Sequence, residues 1–302
     1  MVSLANKRLV IFGCGYVGSA VAQAALAAGA RVEALTRNAE KAQALRAAGL
    51  ANVVVADLAG ADWHAAIAGG PDFVLNSVSS GGPGNYRHSY VDGMRSILAW
   101  AARGARPIGS LVYTSSTAVY PQGGGVSVDE TAPAPGSTPN GAIIRESEQL
   151  LEAAPATACA RWFILRLAGI YGPARHHLLD QLRTGAAVLN GSGEHRLNLA
   201  HRDDIVAAIL AGFTAPAGVG SDIFNVADDA PALRREVVDW LAGQLGRAAP
   251  AFDGSTSSRR GGLPMPDRTI ANGKIKRVLG WTPRHADYRA GFGEILTTTN
   301  SP

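Results

Sequence analysis

Three glycines near the beginning of the chain follow the spacing G-x-G-x-x-G, directly after an apolar run and directly before a helical pattern. In this context the first glycine permits a tight turn, the second lets a pyrophosphate approach the backbone, and the third lets the helix pack on the strand. Free N–H groups at the helix N-terminus attract the same anion. The motif therefore predicts a dinucleotide-binding site. The residues assigned to it are Gly13, Cys14, Gly15, Tyr16, Val17 and Gly18.

The end of the second predicted strand indicates which dinucleotide binds. A carboxylate about 20 residues beyond the motif accepts the ribose 2′-OH of NAD, whereas an arginine there suits the 2′-phosphate of NADP. This strand ends at Thr36 and Arg37, which are assigned to the cofactor, and Glu33 lies inside the strand, too early for that role. The sequence therefore favours NADP(H) over NAD(H), the alternative being that Arg37 is a solvated surface residue.

Further residues at strand ends complete the predicted cofactor site. Asp57 follows the third strand, where a carboxylate can meet the adenine ring. It can also cap the helical segment around Trp63, and the two roles are compatible. The remaining residues assigned to the cofactor are Leu58, Ser77, Val78 and Leu167.

Strand and helix patterns alternate through the first half of the chain. Strands are predicted at 8–12, 31–36, 52–56, 72–77, 108–115 and 161–167. Helices are predicted at 18–28, 39–48, 90–103 and 143–153. This alternation predicts an α/β fold with a doubly wound Rossmann parallel sheet.

The second half is less periodic and predicts a smaller C-terminal substrate-binding region. Residues 1–170 are assigned to the NADP-binding Rossmann domain, with 198–228 returning to it, and residues 171–302 to the smaller region. A Pro-, Gly- and Ser-rich stretch over 121–141 is predicted to be a long loop. Such a loop inside a compact domain is usually functional or covers a site.

The composition, 47% hydrophobic and 17% charged over 302 residues, is that of an ordinary globular protein. The net charge of +4 is scattered, which indicates tolerance of an anionic ligand rather than a surface that binds nucleic acid. Two distant cysteines without a Cys-x-x-Cys pattern indicate a cytoplasmic location. The apolar stretch 9–30 mimics a membrane span, but its glycines, Ser19 and Gln23 favour a strand, turn and helix.

Five further short sequence motifs lie along the rest of the chain. They are S-S-x-x-V-Y within 111–120, L-R-x-x-x-I-Y-G-P at 165–173, H-x-x-D within 198–204, F-N-V at 224–226 and L-G-W-x-P at 279–283. With the glycine motif, they resemble the extended short-chain dehydrogenases/reductases, or NAD-dependent epimerases/dehydratases, over nearly the whole chain. The resemblance implies the Rossmann fold and, by analogy only, a homodimer formed through long helices.

The Tyr-x-x-x-Lys pair of that family is missing. Counting back from Glu148 in the family pattern Y-G-x-S-K-x-x-x-E places Asn140 at the tyrosine and Ile144 at the lysine. Asn140 cannot act as a phenolic acid or base, and Ile144 has no charge to lower a phenol pKa. The chain therefore resembles the atypical branch of the family, with only the serine, Ser116, retained.

Ser116 and Tyr120 are the predicted catalytic residues. Ser116 can hydrogen-bond to a carbonyl oxygen, and Tyr120 is a donor near the same strand end, with a packed aromatic as its alternative. Further donors, each also explained as a surface or structural residue, are Tyr86, His176, His177 and His201.

No metal site is predicted, because the histidines lack paired ligand spacing. Asp203 and Asp204 are expected to cap the helix that follows them. Arg259, Arg260 and Arg268 are candidates for contact with an anionic substrate, or are surface arginines.

Three functional hypotheses follow. The first is an NADP(H)-dependent oxidoreductase acting on a carbonyl or alcohol substrate, with Ser116 polarising the oxygen. The second, motivated by the missing tyrosine and lysine, is a non-catalytic NADP(H)-binding sensor or scaffold. The third, a nucleotide-sugar epimerase or dehydratase, ranks lower because that chemistry depends most on the missing tyrosine.

Overall fold

A seven-stranded parallel sheet forms the centre of the protein. It is seen in a computed structural model that describes residues 3–80, 84–256 and 265–299. The strands are β1 (Arg8–Phe12), β2 (Arg31–Thr36), β3 (Asn52–Val55), β4 (Phe73–Asn76), β5 (Ser110–Ser116), β6 (Trp162–Leu167) and β7 (Asp222–Val226). Their order across the sheet is β7-β6-β5-β4-β1-β2-β3.

The strand sequences explain why the sheet is buried on both faces. β4 is buried at every position, and β1 at every position but its first. Such continuous Val, Ile, Leu and Phe runs are typical of parallel strands covered by helices on both sides. The strand order reverses between β1 and β4, and the crevice at the carboxyl ends beside such a reversal is where α/β sheets bind ligands.

Helices cover both faces. They are α1 (Tyr16–Ala27), α2 (Ala39–Ala47), α3 (Gly93–Ala101), α4 (Pro139–Glu152), α5 (His177–Arg183), α6 (Arg202–Phe213), α7 (Arg234–Gln244), α8 (Gly273–Leu279) and α9 (Tyr288–Thr299). One apolar cluster joins the sheet to α1 and α6, and a second joins its other face to α3 and α4. The predicted α/β, doubly wound Rossmann sheet is therefore confirmed.

The structure departs from the predicted elements at the start of α4, which begins at Pro139 inside the predicted loop, and in two further places. The helix predicted over 90–103 begins with a π-helical turn, His88–Asp92, that runs directly into α3. The loop predicted over 121–141 contains the short strand Val126–Val128, whose partner is Arg268–Ile270. A three-residue strand paired with residues so distant in the chain leaves no local pattern to detect.

The later part of the chain adds a smaller layer. Short strands pair Gly169–Tyr171 with Leu199–His201, Arg196–Leu197 with Ala232–Leu233, and Val188–Leu189 with Ala251–Phe252. A third apolar cluster joins α5, α7 and α9. The division of the chain at residue 170 stays a prediction. No helix in the described ranges is both long and apolar enough to cross a membrane.

The glycine turn after β1 is shaped by close packing at two of its three glycines. Gly13 has a φ of +85°, and a Cβ there would lie 2.5 Å from the backbone of Ser77 and Val78. A Cβ on Gly18 would lie 2.4 Å from the Gly13 carbonyl oxygen. At Gly15, by contrast, the nearest atom would be 3.9 Å away. Protein packing therefore requires glycine at positions 13 and 18, but leaves room for a side chain at position 15.

This contrast predicts a larger loss of stability for one of two alanine substitutions than for the other. Gly18→Ala forces the helix away from the turn and is expected to lower the free energy of unfolding by about 2 kcal/mol. Gly15→Ala is expected to cost about 1 kcal/mol, because the new methyl group meets its nearest protein atom only at 3.9 Å and the remaining cost is that of a poorer helix N-cap. Urea denaturation of both variants measures the difference. Equal destabilisation by the two would contradict this account of the turn.

Candidate cofactor-binding site

A cleft of about 380 Å³ opens at the carboxyl ends of β1 to β4. Much of its wall comes from residues assigned to the cofactor from sequence, which are Gly13, Cys14, Gly15, Thr36, Arg37, Asp57, Leu58, Ser77 and Val78. The turn after each strand supplies part of this wall, so residues distant in the chain meet at one edge of the sheet. Residues that the sequence did not single out also line it, among them Asn38, Lys41, Ser79, His88 and Ser89.

Four of the assigned residues lie elsewhere, and their role in cofactor binding stays a prediction. Tyr16, Val17 and Gly18 form the first turn of α1, where Val17 and Gly18 are buried. Leu167 ends β6, two strands away from β4, where it is buried and in register with Ser116.

The glycine turn fits a pyrophosphate. Packing leaves room for a side chain at Gly15, so the bare backbone there would let a ligand approach closely. The first turn of α1 carries no acidic residue. Its N–H groups have no earlier helical carbonyl to bond, so they present a positive end to the cleft.

Two cationic side chains, Arg37 and Lys41, line the part of the cleft beyond β2. Asn38 caps α2 by accepting a hydrogen bond from the Lys41 N–H at 2.8 Å, which fixes the start of the helix that carries Lys41. The carboxylate of Glu33 is engaged outside the cleft wall, where Oε1 accepts a hydrogen bond from Arg8 Nε at 2.5 Å. Among the described residues of the cleft wall, Asp57 is the only carboxylate.

Lys41 was missed from the sequence, although a signal was present. It follows Arg37 by four residues, and Asn38 between them is a strong helix cap. Both basic residues therefore fall on the strand tip and the first helical turn that face the cleft. Next to them, burial raises the pKa of the Cys14 thiol to about 11, against the opposing charge of Lys41. Cys14 is thus a packed, protonated thiol.

Asp57 and His88 meet in the wall of the same cleft. His88 Nε2 lies 2.8 Å from Asp57 Oδ2, and the Ala59 N–H donates to Oδ1 at 3.0 Å. The hydrogen bond from His88 holds the pKa of Asp57 below its ordinary value. Asp57 therefore caps the turn at Ala59, and it lines the cleft as well. His88 was missed because it sits in a π-helical turn, a rare form that leaves no periodic pattern.

Ser116 is half-buried at the end of β5, where Oγ accepts a hydrogen bond from the Ala118 N–H at 3.1 Å. This bond caps the 3₁₀ turn Thr117–Val119. Because the hydroxyl acts there as an acceptor, its proton stays available for donation to another oxygen.

Tyr120 is fully buried, which favours the packed-aromatic alternative, and its catalytic role stays a prediction. Its hydroxyl donates to Asn225 Oδ1 at 2.9 Å and accepts from Arg166 Nη1 at 2.9 Å. Arg166 is in turn held by the buried Glu148 at 2.7 Å. Burial raises the pKa of Tyr120. A phenol engaged on both sides inside the core is poorly placed to exchange a proton with a substrate.

The positions where the family pattern places its tyrosine and lysine lie on α4. Asn140 is exposed in the first turn of this helix, and Ile144 is buried in the core. Neither side chain can move a proton. Tyr86, another sequence candidate, stacks on Tyr90 with ring centroids 5.3 Å apart.

The histidine candidates are dispersed. His177 is exposed, and His176 is buried with Nδ1 2.7 Å from Asp180 Oδ1. His201 is buried against the ring of His285, with centroids 3.7 Å apart. Burial, aided by the charge of His285, lowers the pKa of His201 to about 4, so its imidazole is neutral at pH 7. None of these three histidines lines the described cleft.

The helix cap expected from Asp203 and Asp204 is supplied instead by His201, whose Nδ1 accepts the Asp203 N–H. Asp204 accepts hydrogen bonds from the backbone of Arg284 and His285 and from His285 Nδ1, and so ties the C-terminal segment to α6. His201, Asp204 and His285 also converge with a geometry that could hold a metal ion. Both carboxylate oxygens of Asp204 already accept hydrogen bonds from the protein, so neither is left unpaired for a metal ion.

Arg268 is buried and donates to the carbonyl oxygens of Tyr120, Gln122 and Thr117. It therefore holds the segment after β5 in place instead of facing a substrate. Arg259 and Arg260 lie outside the described residues.

Known proteins resemble this chain in sequence and in fold. The model of the NAD dependent epimerase/dehydratase family matches residues 9–227. Protein YeeZ of Escherichia coli (strain K12) is 28% identical over 286 residues, which cover 93% of this chain and 97% of YeeZ. A 3-diazoavenalumate denitrifying reductase from a Streptomyces species is 28% identical over 213 residues, 65% of this chain and 67% of the reductase.

Among solved structures, DesIV (dTDP-glucose 4,6-dehydratase) from Streptomyces venezuelae, with NAD bound, matches with a TM-score of 0.81. The two chains are 21% identical, and the match covers 97% of each, so the likeness establishes the fold. The family model spans most of the chain, and it includes the glycine turn, the cleft and Ser116. The protein therefore belongs to the NAD-dependent epimerase/dehydratase family.

Proposed function

We propose that the protein is an NADP(H)-dependent oxidoreductase that acts on a carbonyl or alcohol substrate with non-standard catalytic residues. The observation that carries the proposal is the pair of cations, Arg37 and Lys41, in the same cleft as the open backbone at Gly15. The glycine turn would hold the pyrophosphate, and the cations would hold a further phosphate at the ribose.

The charges around β2 support NADP(H) over NAD(H). A 2′-phosphate carries up to two negative charges, which the guanidinium of Arg37 and the ammonium of Lys41 would neutralise. NAD instead needs a carboxylate to accept its 2′-OH. The nearest acidic residue within β2, Glu33, is already engaged by Arg8 and Asn52.

Simple reduction or oxidation suits the remaining side chains better than epimerisation. When bound, the nicotinamide supplies or accepts the hydride. Ser116 would donate a hydrogen bond to the substrate oxygen and polarise it, which needs no ionisable group. Epimerisation and dehydration require a residue that takes and returns protons, and Asn140, Ile144 and the enclosed Tyr120 do not supply one. One relative at 28% identity is named a reductase.

A non-catalytic NADP(H)-binding protein is the second candidate. It is favoured by the engagement of the Tyr120 hydroxyl with Asn225 and Arg166 inside the core. A sensor of this kind would bind the cofactor as tightly but would consume none. Turnover therefore separates the two candidates, whereas cofactor affinity does not.

Removal of both cations is expected to abolish the preference between cofactors. In Arg37→Ala/Lys41→Ala, the Kd for NADPH should rise about 100-fold while that for NADH changes less than about threefold, because NADH lacks the phosphate. Isothermal titration measures both constants. Arg31→Ala is the matched control, since Arg31 is an exposed arginine at the opposite end of β2. Equal affinity of the wild-type protein for the two cofactors would contradict the preference.

Ser116→Ala is expected to lower kcat about 100-fold and leave the Kd for NADPH unchanged, because the hydroxyl would act on the developing charge of the substrate. The assay follows NADPH consumption over a panel of aldehydes and ketones, and NADP⁺ reduction over alcohols. Tight NADPH binding with no consumption on any panel member would favour the sensor. Full activity in the variant would remove Ser116 from the mechanism.

A further inference from the structure

The side chain of Tyr16 joins the glycine turn to the later part of the chain. Tyr16 directly follows Gly15 and begins α1. Its hydroxyl donates to the Pro173 carbonyl oxygen at 2.9 Å. The guanidinium carbons of Arg175 and Arg202 lie 5.4 Å and 5.5 Å from the centre of its ring. Two arginines therefore converge on one aromatic ring beside the cofactor cleft.

The backbone holds Arg175 in this position. Gly172 and Arg175 exchange hydrogen bonds of 3.1 Å and 3.0 Å, which close a tight turn. Within it Ala174 has a φ of +57°, a conformation that residues with a side chain rarely adopt. The turn packs closely against Tyr16 and Arg202: a Cβ on Gly172 would lie 2.8 Å from the Tyr16 hydroxyl and 3.1 Å from Arg202 Cβ.

The charges at this junction are not balanced within the described chain. Arg202 has an ion pair with the adjacent Asp203 at 2.8 Å. The exposed guanidinium of Arg175 has neither an ion pair nor a hydrogen bond to any described residue. Two like charges near one ring repel each other, and an anion that contacts either of them offsets this repulsion. With one carboxylate for two guanidiniums, the described side chains carry a net positive charge here, which one anionic ligand group would neutralise.

We propose that Arg175 and Arg202, spaced by the ring of Tyr16, form an anion-binding subsite that receives a phosphate or carboxylate group of a bound ligand. The proposal rests on the proposed function, which places a dinucleotide in the adjacent cleft. The anion has two sources: the pyrophosphate of the cofactor, or an anionic group of the substrate. In the second case the substrate class narrows to carbonyl or alcohol compounds that carry a phosphate or carboxylate.

The planar guanidinium suits this task. It can stack on the phenol ring with one face and direct its N–H groups in pairs at phosphate or carboxylate oxygens. The neighbouring turn of α1 adds the positive end of a helix. The turn between Gly172 and Arg175 is already closed by two backbone hydrogen bonds, so recognition here would need no movement of its backbone.

The test compares Arg175→Met with Arg289→Met. Arg289 is also exposed and stacks on a tyrosine, Tyr288, at 4.4 Å, so the control removes the same charge and the same kind of ring contact elsewhere. Isothermal titration first measures NADPH binding to each protein. It then measures inorganic phosphate binding, both to the free protein and to its complex with saturating NADPH.

Arg175→Met is expected to weaken one of these ligands by about 10- to 100-fold, the range for loss of a charged hydrogen bond. A weaker NADPH complex assigns the anion to the cofactor pyrophosphate. Weaker phosphate binding to the NADPH complex, with NADPH affinity unchanged, assigns it to the substrate. Arg289→Met should change neither ligand. Arg175→Lys, which keeps the charge but loses the fork of donors, should fall between wild type and Arg175→Met.

The inference is overturned if Arg175→Met binds both ligands as the wild type does, because the arginine then only stacks on Tyr16. Failure of the wild-type protein to bind NADPH would instead contradict the proposed function. In that event phosphate binding to the free protein still decides the subsite: unchanged affinity in Arg175→Met overturns it, and weakened affinity supports it.

Discussion

The contact between the glycine turn and the end of β4 is the constraint on which the site depends. Gly13 lies so close to the backbone of Ser77 and Val78 that no side chain fits, and Gly18 meets the Gly13 carbonyl in the same way. These contacts set the angle at which α1 leaves the sheet. Because the sheet order reverses here, the N-terminus of α1 faces an open crevice rather than another crossover helix.

The charged side chains that line the cleft differ from those further along the sheet, where the reacting group of a substrate would lie. Arg37 and Lys41 stand in a cleft, and their charges are available to a ligand. Further along the sheet, Arg166 and Glu148 are almost fully buried and satisfy each other together with Tyr120. Removing one partner of such a pair would leave a buried charge exposed to a low-dielectric core, which is far costlier than losing a surface pair. The hydroxyl of Tyr120 is thus engaged in this buried network.

Local patterns were sufficient for the features that depend on neighbours in sequence. The strand at 8–12, the glycine turn and Arg37 at the tip of β2 are all set by residues within a few positions of one another. The features that were missed depend on distant contacts. Tyr120 is enclosed by Arg166 and Asn225, and His88 reaches Asp57 only through a π-helical turn. Pairings across 31 to 105 residues leave no periodicity in the chain.

A crystal structure of the protein with NADP⁺ bound tests the central claim most directly. The account predicts the pyrophosphate against the backbone at Gly15 and the 2′-phosphate within about 3 Å of both the Arg37 guanidinium and the Lys41 ammonium. A 2′-phosphate that points into solvent, away from both cations, would contradict the account. So would a dinucleotide bound anywhere other than the cleft at the ends of β1 to β4.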